Sequence, residues 1–249
     1  MASDPVSGSE TRGKRLEVPA VSTPWSPAEF ERHLRSLLAR RYHHLHPFNQ
    51  RMHEGALSRE QIRGWIANRF YYQEIIPVKD ALLISKLPLE YRRQWIRRIV
   101  DHDGSQQGEG GLERWLRLGE AAGLSRADLL EHRLLVPSAR FAADAYVGFV
   151  RDHSWVEGVA SSLTELSAPS LMSVRIVAFE QHYRWVRRDG LLYFQSRVTQ
   201  GSADASEALP IVLAHCHTRG EQDLAFDALS FKCDVLWGLL DAVAAAFPR

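Results

Sequence analysis

Hydrophobic positions in this chain recur at intervals of three and four, the spacing that lines one face of an α-helix. Phe30, Leu34, Leu37 and Leu38 form one such stripe, and Ser26-Pro27-Ala28-Glu29 in front of it supplies an N-cap, a first-position proline and a capping-box glutamate. A second start lies at Ser58-Arg59-Glu60-Gln61, where Leu57 and Ile62 flank the cap as a hydrophobic staple. Its stripe runs Ile62, Trp65, Ile66, Arg69, Tyr72, Gln73 and Ile76 to Pro77, which is expected to kink or end the helix before ALLISKL carries the pattern on to Pro88. Further helices are predicted at about 89–102 around Trp95 and Ile99, at 112–122 closed by Gly123, and at 138–152 around Phe141, Tyr146 and Phe149. Others follow at roughly 155–167, 170–183, 190–199, 206–218 and 221–246. The last places Leu224, Ala228, Leu229, Lys232, Leu236, Leu239 and Val243 on one face. No stretch alternates with period two between hairpin turns, and no segment repeats, so the chain reads as all-α.

Composition narrows the picture. The 249 residues suit one compact domain, residues 26–249, behind a polar tail, residues 1–25, that lacks the apolar core of a signal peptide. No apolar run reaches about 18 residues, the length needed to span a bilayer as a helix. With 31 Lys+Arg against 30 Asp+Glu, the net charge of +1 gives no overall pull toward nucleic acid or an anionic membrane. The two cysteines, Cys216 and Cys233, lack metal or redox spacing; they fit small core residues in a reducing cytoplasm. The glycine-rich stretch GSQQGEGG (104–111) reads as a flexible loop beside a site.

Candidate chemistry comes from polar residues where the pattern asks for apolar ones. Arg69, Tyr72 and Gln73 share a face with Trp65, Ile66 and Ile76, and Lys232 lies among Leu229, Val235 and Leu236. A buried lone cation costs several kcal/mol unless it is paired, so each needs an anionic partner inside the fold, a wet cavity, or a snorkelling path to water. Of the 11 histidines, three crowd into YHHLHP (42–47), which invites a metal reading. The chain, however, carries neither HExxH nor a Glu-x-x-His pair, and a histidine before Pro47 also serves as a helix-terminus residue. His102, in DHDG (101–104), ends a helix beside the glycine loop. The basic run Arg92, Arg93, Arg97 and Arg98 is explained by a solvated helix face.

YHHLHPF (42–48), ANRFYYQ (67–73) with IPVKDA (76–81), RIVDHDG (98–104), SSLTELSAP (161–169) and FKCDVLW (231–237) occur in consistent order from about Pro27 to Ala246. In these segments the chain resembles the pyrroloquinoline quinone synthase family, which belongs to the heme-oxygenase-like, TenA-like group of all-helical folds. The resemblance implies a compact heme-oxygenase-like helical bundle, a homodimer, and an oxidase that uses neither metal nor redox cofactor. The implied reaction closes a ring in 3a-(2-amino-2-carboxyethyl)-4,5-dioxo-hexahydroquinoline-7,9-dicarboxylate and removes eight electrons with dioxygen, giving pyrroloquinoline quinone and hydrogen peroxide. Carried over by motif, Arg69, Arg175, Arg197 and Lys232 anchor the substrate's carboxylates, with Tyr42, Tyr72 and Gln73 in support. His43, His102, Tyr146, Glu165 and Tyr193 match further active-site positions. His43 and His102 are expected to shuttle protons, and Tyr193, Arg197 and His102 to handle oxygen.

One departure stands out. The family usually has a histidine where this chain has Met172, and an aromatic residue where it has Ser167, so no catalytic part is assigned to Met172. Other functions on such a fold stay open: a thiaminase-like hydrolase needs a cavity cysteine, a di-iron oxygenase several Glu/His ligands, a haem oxygenase an axial histidine. A carrier for the quinone needs the anionic pocket without proton-transferring groups.

Overall fold

A computed structural model describes residues 23–248, without the side chains of 200–206. Eleven α-helices follow one another: α1 (Pro27–Arg41), α2 (Pro47–His53), α3 (Arg59–Lys86), α4 (Leu89–Asp103), α5 (Gly110–Ala121), α6 (Arg126–Leu130), α7 (Pro137–Asp152), α8 (Trp155–Ser161), α9 (Ala168–His182), α10 (Leu192–His215) and α11 (Arg219–Ala246). Short 3₁₀ turns at His43–Leu45, Ser162–Ser167 and Arg188–Leu191 join some of them, and no strand occurs among the described residues. The all-α expectation holds. Of the expected tail, residues 1–22 lie outside the described part; Trp25 exchanges two hydrogen bonds with Gln222 and packs under the Arg219 guanidinium.

Local chemistry starts the helices as the sequence predicts. Ser26 and Ser58 both close capping boxes, with Glu29 and Gln61 reaching back to the cap, and Ser154 and Thr218 do the same for α8 and α11. Each such cap contributes about 1 kcal/mol. The Phe30, Leu34, Leu37 and Leu38 stripe is buried in full.

Several expectations are corrected. Pro77 does not end its helix: α3 runs 28 residues through it. Pro77 deprives the Gln73 carbonyl of its usual donor, a cost of about 3 kcal/mol. Packing of α3 against α4, α5, α7, α8 and α11 holds the helix together across that break. The segments expected at 190–199 and 206–218 are one helix, α10, which also contains Pro210. The segment at 155–167 divides into α8 and a 3₁₀ turn, and the short helices α2 and α6 were not foreseen. Phe141 is 76% exposed, because the buried stripe of α7 is Ala139, Ala143, Tyr146 and Val150. Leu224 is 53% exposed, one position short of the buried Ala225.

The centre of the molecule lies around α3. Trp65 meets Trp115 edge to face at 5.5 Å, Trp115 meets Tyr193 at 4.6 Å, and Phe179 and Phe194 complete the cluster. The Trp115 indole donates to the Ile66 carbonyl at 2.9 Å, which satisfies its buried N–H. This aromatic wall fixes α3, α5, α9 and α10 relative to one another and forms one side of the polar cluster described next.

Candidate active site

Eight elements send polar side chains into the space beside that wall. Arg69, Tyr72 and Gln73 come from α3, Lys232 from α11, Tyr146 from α7, Arg175 from α9, and Tyr193 and Arg197 from α10. Tyr42 and His43 come from the junction after α1, Glu165 from the 3₁₀ turn after α8, and Arg98 and His102 from the end of α4. All are buried except Arg69 and Glu165, which are half-buried. Every site residue expected from the sequence therefore belongs to one of two neighbouring charge groups.

In the first group the cations have no counter-ions. Lys232, 2% exposed, hydrogen-bonds the Tyr72 hydroxyl and lies 3.3 Å from the centre of the Tyr146 ring. Arg69 stacks over Tyr72 at 3.9 Å. Arg175, also 2% exposed, donates from Nη2 to Asn49 Oδ1 at 3.1 Å, has the Met172 sulfur 3.9 Å from Nη1, and leaves Nε without a partner. Its guanidinium lies 4.9 Å over Trp65. Among the described residues none of these three forms an ion pair. Burial, reinforced by Lys79 and Arg69, holds the Lys232 ammonium well below its usual range. Burial and the Arg69 charge bring Arg175 down to about 10. The His43 imidazole is likewise held well below its ordinary value by burial and by the charges of Arg69, Arg175 and Lys232, so it is neutral at pH 7. Burial raises the Tyr42 and Tyr72 hydroxyls, which stay protonated.

In the second group each cation faces a carboxylate. Lys79 Nζ lies 2.5 Å from Asp80 Oδ1 and donates to Ser162 Oγ at 3.1 Å, while Arg98 Nε stands 3.9 Å from the other Asp80 oxygen. Burial opposes the charge on Lys79, but Asp80 outweighs it and raises the ammonium's pKa. Arg197 donates to Glu165 at 2.8 Å. Burial would raise the Glu165 carboxyl, but Arg197, Arg98 and His102 together bring it down to about 2. His102 is lowered to about 4, by burial and then by Arg197. Its Nδ1 sits 3.1 Å from the Arg98 carbonyl, which can only accept, so Nδ1 carries the proton and Nε2 is the bare, basic nitrogen. Tyr193 donates to Gln73 Oε1 at 2.8 Å and is raised by burial.

Arg98 is a correction. It is 5% exposed rather than on a solvated face, and its place four residues before His102 and three after Trp95 is the signal that should have set it apart from Arg92, Arg93 and Arg97. Lys79, Asp80 and Asn49 also belong to the cluster and were not singled out; an adjacent Lys-Asp pair inside the apolar run IIPVKDALLI (75–84) was the available clue. Of the crowded histidines, His46 proves to be a helix terminus: its Nδ1 accepts from the Phe48 N–H and its Nε2 faces Asp241 at 3.0 Å. His44 and His53 line a groove of about 430 Å³ with Ser167, Leu166 and Leu171, next to Met172. Among the described residues no three His, Cys, Asp or Glu side chains converge to hold a metal ion. Both cysteines are buried core residues, with burial pushing Cys216 up to about 11 and Cys233 up to about 12.

Residues 32–242 match the model of the TENA/THI-4/PQQC family. The pyrroloquinoline-quinone synthase of Ectopseudomonas mendocina is 50% identical over 223 residues, 89% of each chain. That of Cronobacter sakazakii is 48% identical over 89% of this chain and 88% of its own. Among solved structures, a TenA homolog from Pseudomonas syringae superposes with a TM-score of 0.72 at 15% identity, covering 90% of this chain and 98% of the other. A domain with a heme oxygenase-like fold from Shewanella denitrificans gives 0.69 at 14%, covering 88% and 90%. The heme-oxygenase-like fold is thus shared with distant proteins, while agreement near 50% identity is found with pyrroloquinoline-quinone synthases. The chain belongs to the TENA/THI-4/PQQC family, and within it to the pyrroloquinoline-quinone synthases.

Proposed function

We propose that this protein catalyses the last step in the making of pyrroloquinoline quinone, closing a ring in the polyacidic hydroquinoline precursor and oxidising it with dioxygen. The observation that carries this reading is the set of three cations, Arg69, Arg175 and Lys232, gathered inside the fold, none of which forms an ion pair among the described residues. Burying such charge is unfavourable in the free protein and is offset when an anion arrives. A tricarboxylate supplies three negative charges to three positive ones. Each charge-assisted hydrogen bond contributes about 1.5–3 kcal/mol, and the flat guanidinium forks suit carboxylates.

Anion binding also changes protonation. Once carboxylates screen Arg69, Arg175 and Lys232, the charges that depress His43 and Lys232 are offset and both gain affinity for protons. His102, with Nε2 bare, is placed to accept a proton from substrate, and Arg197 beside it offers fixed positive charge to oxygen as that becomes reduced. Tyr193, held by Gln73, is the neighbouring hydroxyl. An electron-rich quinol can hand electrons to dioxygen directly, so the protein's contribution is to hold the quinol, exclude water and stabilise developing negative charge. On this reading neither metal nor redox cofactor takes part, and hydrogen peroxide is released. We also take the enzyme to act as a cytoplasmic homodimer, which light scattering of the purified protein tests. No described helix is long and apolar enough to cross a membrane.

The deciding experiment mixes metal-free protein with precursor under nitrogen and then admits air. Appearance of the quinone spectrum with peroxide supports the proposal; tight binding with no oxygen uptake makes the protein a carrier and rejects it.

A further inference from the structure

Asn49, on α2, is fully buried because α2 lies against α9, and it bridges two members of the site. Its Oδ1 accepts from Arg175 Nη2 at 3.1 Å. Its Nδ2 stands 2.7 Å from the His43 carbonyl oxygen and 3.2 Å from His43 Nδ1. The orientation of the amide is fixed twice over. Turning it round would set an NH₂ against a guanidinium N–H, two donors, and an amide oxygen against a carbonyl oxygen, two acceptors. With Nδ2 thus facing the imidazole, His43 Nδ1 can only accept. The neutral ring must therefore carry its proton on Nε2, which has no partner among the described residues.

We propose that Asn49 is a positioning residue that locks His43 as a neutral imidazole presenting Nε2–H, and so gives the two histidines of the site opposite tasks. His102, whose Nδ1–H is held by the Arg98 carbonyl, has a bare Nε2 and takes protons. His43, blocked at Nδ1, offers Nε2–H to the substrate as a hydrogen-bond donor without giving the proton up, and cannot become a base at Nδ1. Protonating its Nδ1 would require the amide to turn and Arg175 to lose its acceptor, so the acid-base state of His43 is tied to the cation that grips the substrate. The neighbouring charges of Arg69, Arg175 and Lys232 act in the same direction by disfavouring an imidazolium. The opposite assignment of tasks rests on the proposed reaction; the tautomer does not.

The test is the ¹⁵N spectrum of histidine-labelled, ligand-free protein at pH 7, with His43 assigned from the His43→Gln variant. The expected result is a bare Nδ1 and a protonated Nε2 on His43. A protonated Nδ1, or an imidazolium, overturns the proposal whatever reaction the protein catalyses. Asn49→Leu, similar in size but unable to hydrogen-bond, should mix the two tautomers and lower kcat by roughly 10- to 100-fold, with KM changed by less than about threefold. An unchanged tautomer or an unchanged kcat in that variant also overturns it. Should Asn49→Leu fail to fold, the spectrum of the native protein still decides. Absence of turnover in the native protein, with the tautomer as expected, rejects the reaction and with it the assignment of tasks.

Discussion

The two charge groups differ in one respect that the residue types do not reveal. Lys79 and Arg98 share the buried Asp80 carboxylate, and Arg197 is paired with Glu165. Arg69, Arg175 and Lys232 are neighbours of that group, and their direct contacts among the described residues are phenols, an amide, a thioether and aromatic faces. The first arrangement is finished when the chain folds. On the proposed function the second is finished only when a polyanion binds, so the same kind of side chain stabilises the protein in one place and is held ready for a ligand in the other.

Removing the acid from the finished group should have the largest effect. Asp80→Asn leaves Lys79 and Arg98 buried without their shared counter-ion, and the unfolding free energy in urea should fall by about 3–5 kcal/mol. Lys232→Met should do the reverse to stability, leaving it unchanged or raised, because a cation held well below its usual pKa is removed. Its cost appears in binding: affinity for pyrroloquinoline quinone, followed by titration calorimetry, should drop roughly 10- to 150-fold. If Lys232→Met instead unfolds the protein as Asp80→Asn does, the distinction between the groups fails.

A smaller effect concerns acid. His102 ordinarily titrates at 6.5 but at about 4 in the fold, so between those values the unfolded chain holds a proton that the native state lacks. Stability from this residue is complete above pH 6.5 and is lost as pH falls toward 4, by about 1.4 kcal/mol per pH unit. Glu165, lowered from 4.5 to about 2, adds a further loss below 4.5. Unfolding curves at pH 7, 6 and 5 should show the first slope in the native protein and a shallower one in His102→Asn. Smallest of all, Glu165→Gln removes one negative charge beside Arg197 and makes the cluster more positive; quinone affinity should rise by about fivefold, near 1 kcal/mol. A fall in affinity would mean that Glu165 itself holds the ligand.

The helical class was legible because period-3.6 stripes persist over most of the chain, and the caps at Ser26 and Ser58 mark two starts without help from tertiary contacts. What the sequence concealed was set by packing. Pro77 reads as a terminus until five helices are found leaning on α3 to hold it through the break. In α7 the alanines, not Phe141, mark the buried face, since Ala139 and Ala143 leave room for a close neighbour. Arg69 and Lys232 stood out as cations in apolar stripes, whereas Arg98 was hidden inside a run of four arginines. The opposite tautomers proposed for His43 and His102 could not be foreseen, because they depend on a carbonyl and an amide that only the folded chain brings alongside.

On the proposed function the enzyme releases hydrogen peroxide within its own body, and the buried thiols then have a consequence. Peroxide attacks the thiolate, and at pH 7 the Cys216 and Cys233 thiols, at about 11 and about 12, are almost wholly un-ionised as well as shielded from solvent. Such an enzyme tolerates sulfur in its interior because neither atom is in a form its by-product can readily corrode.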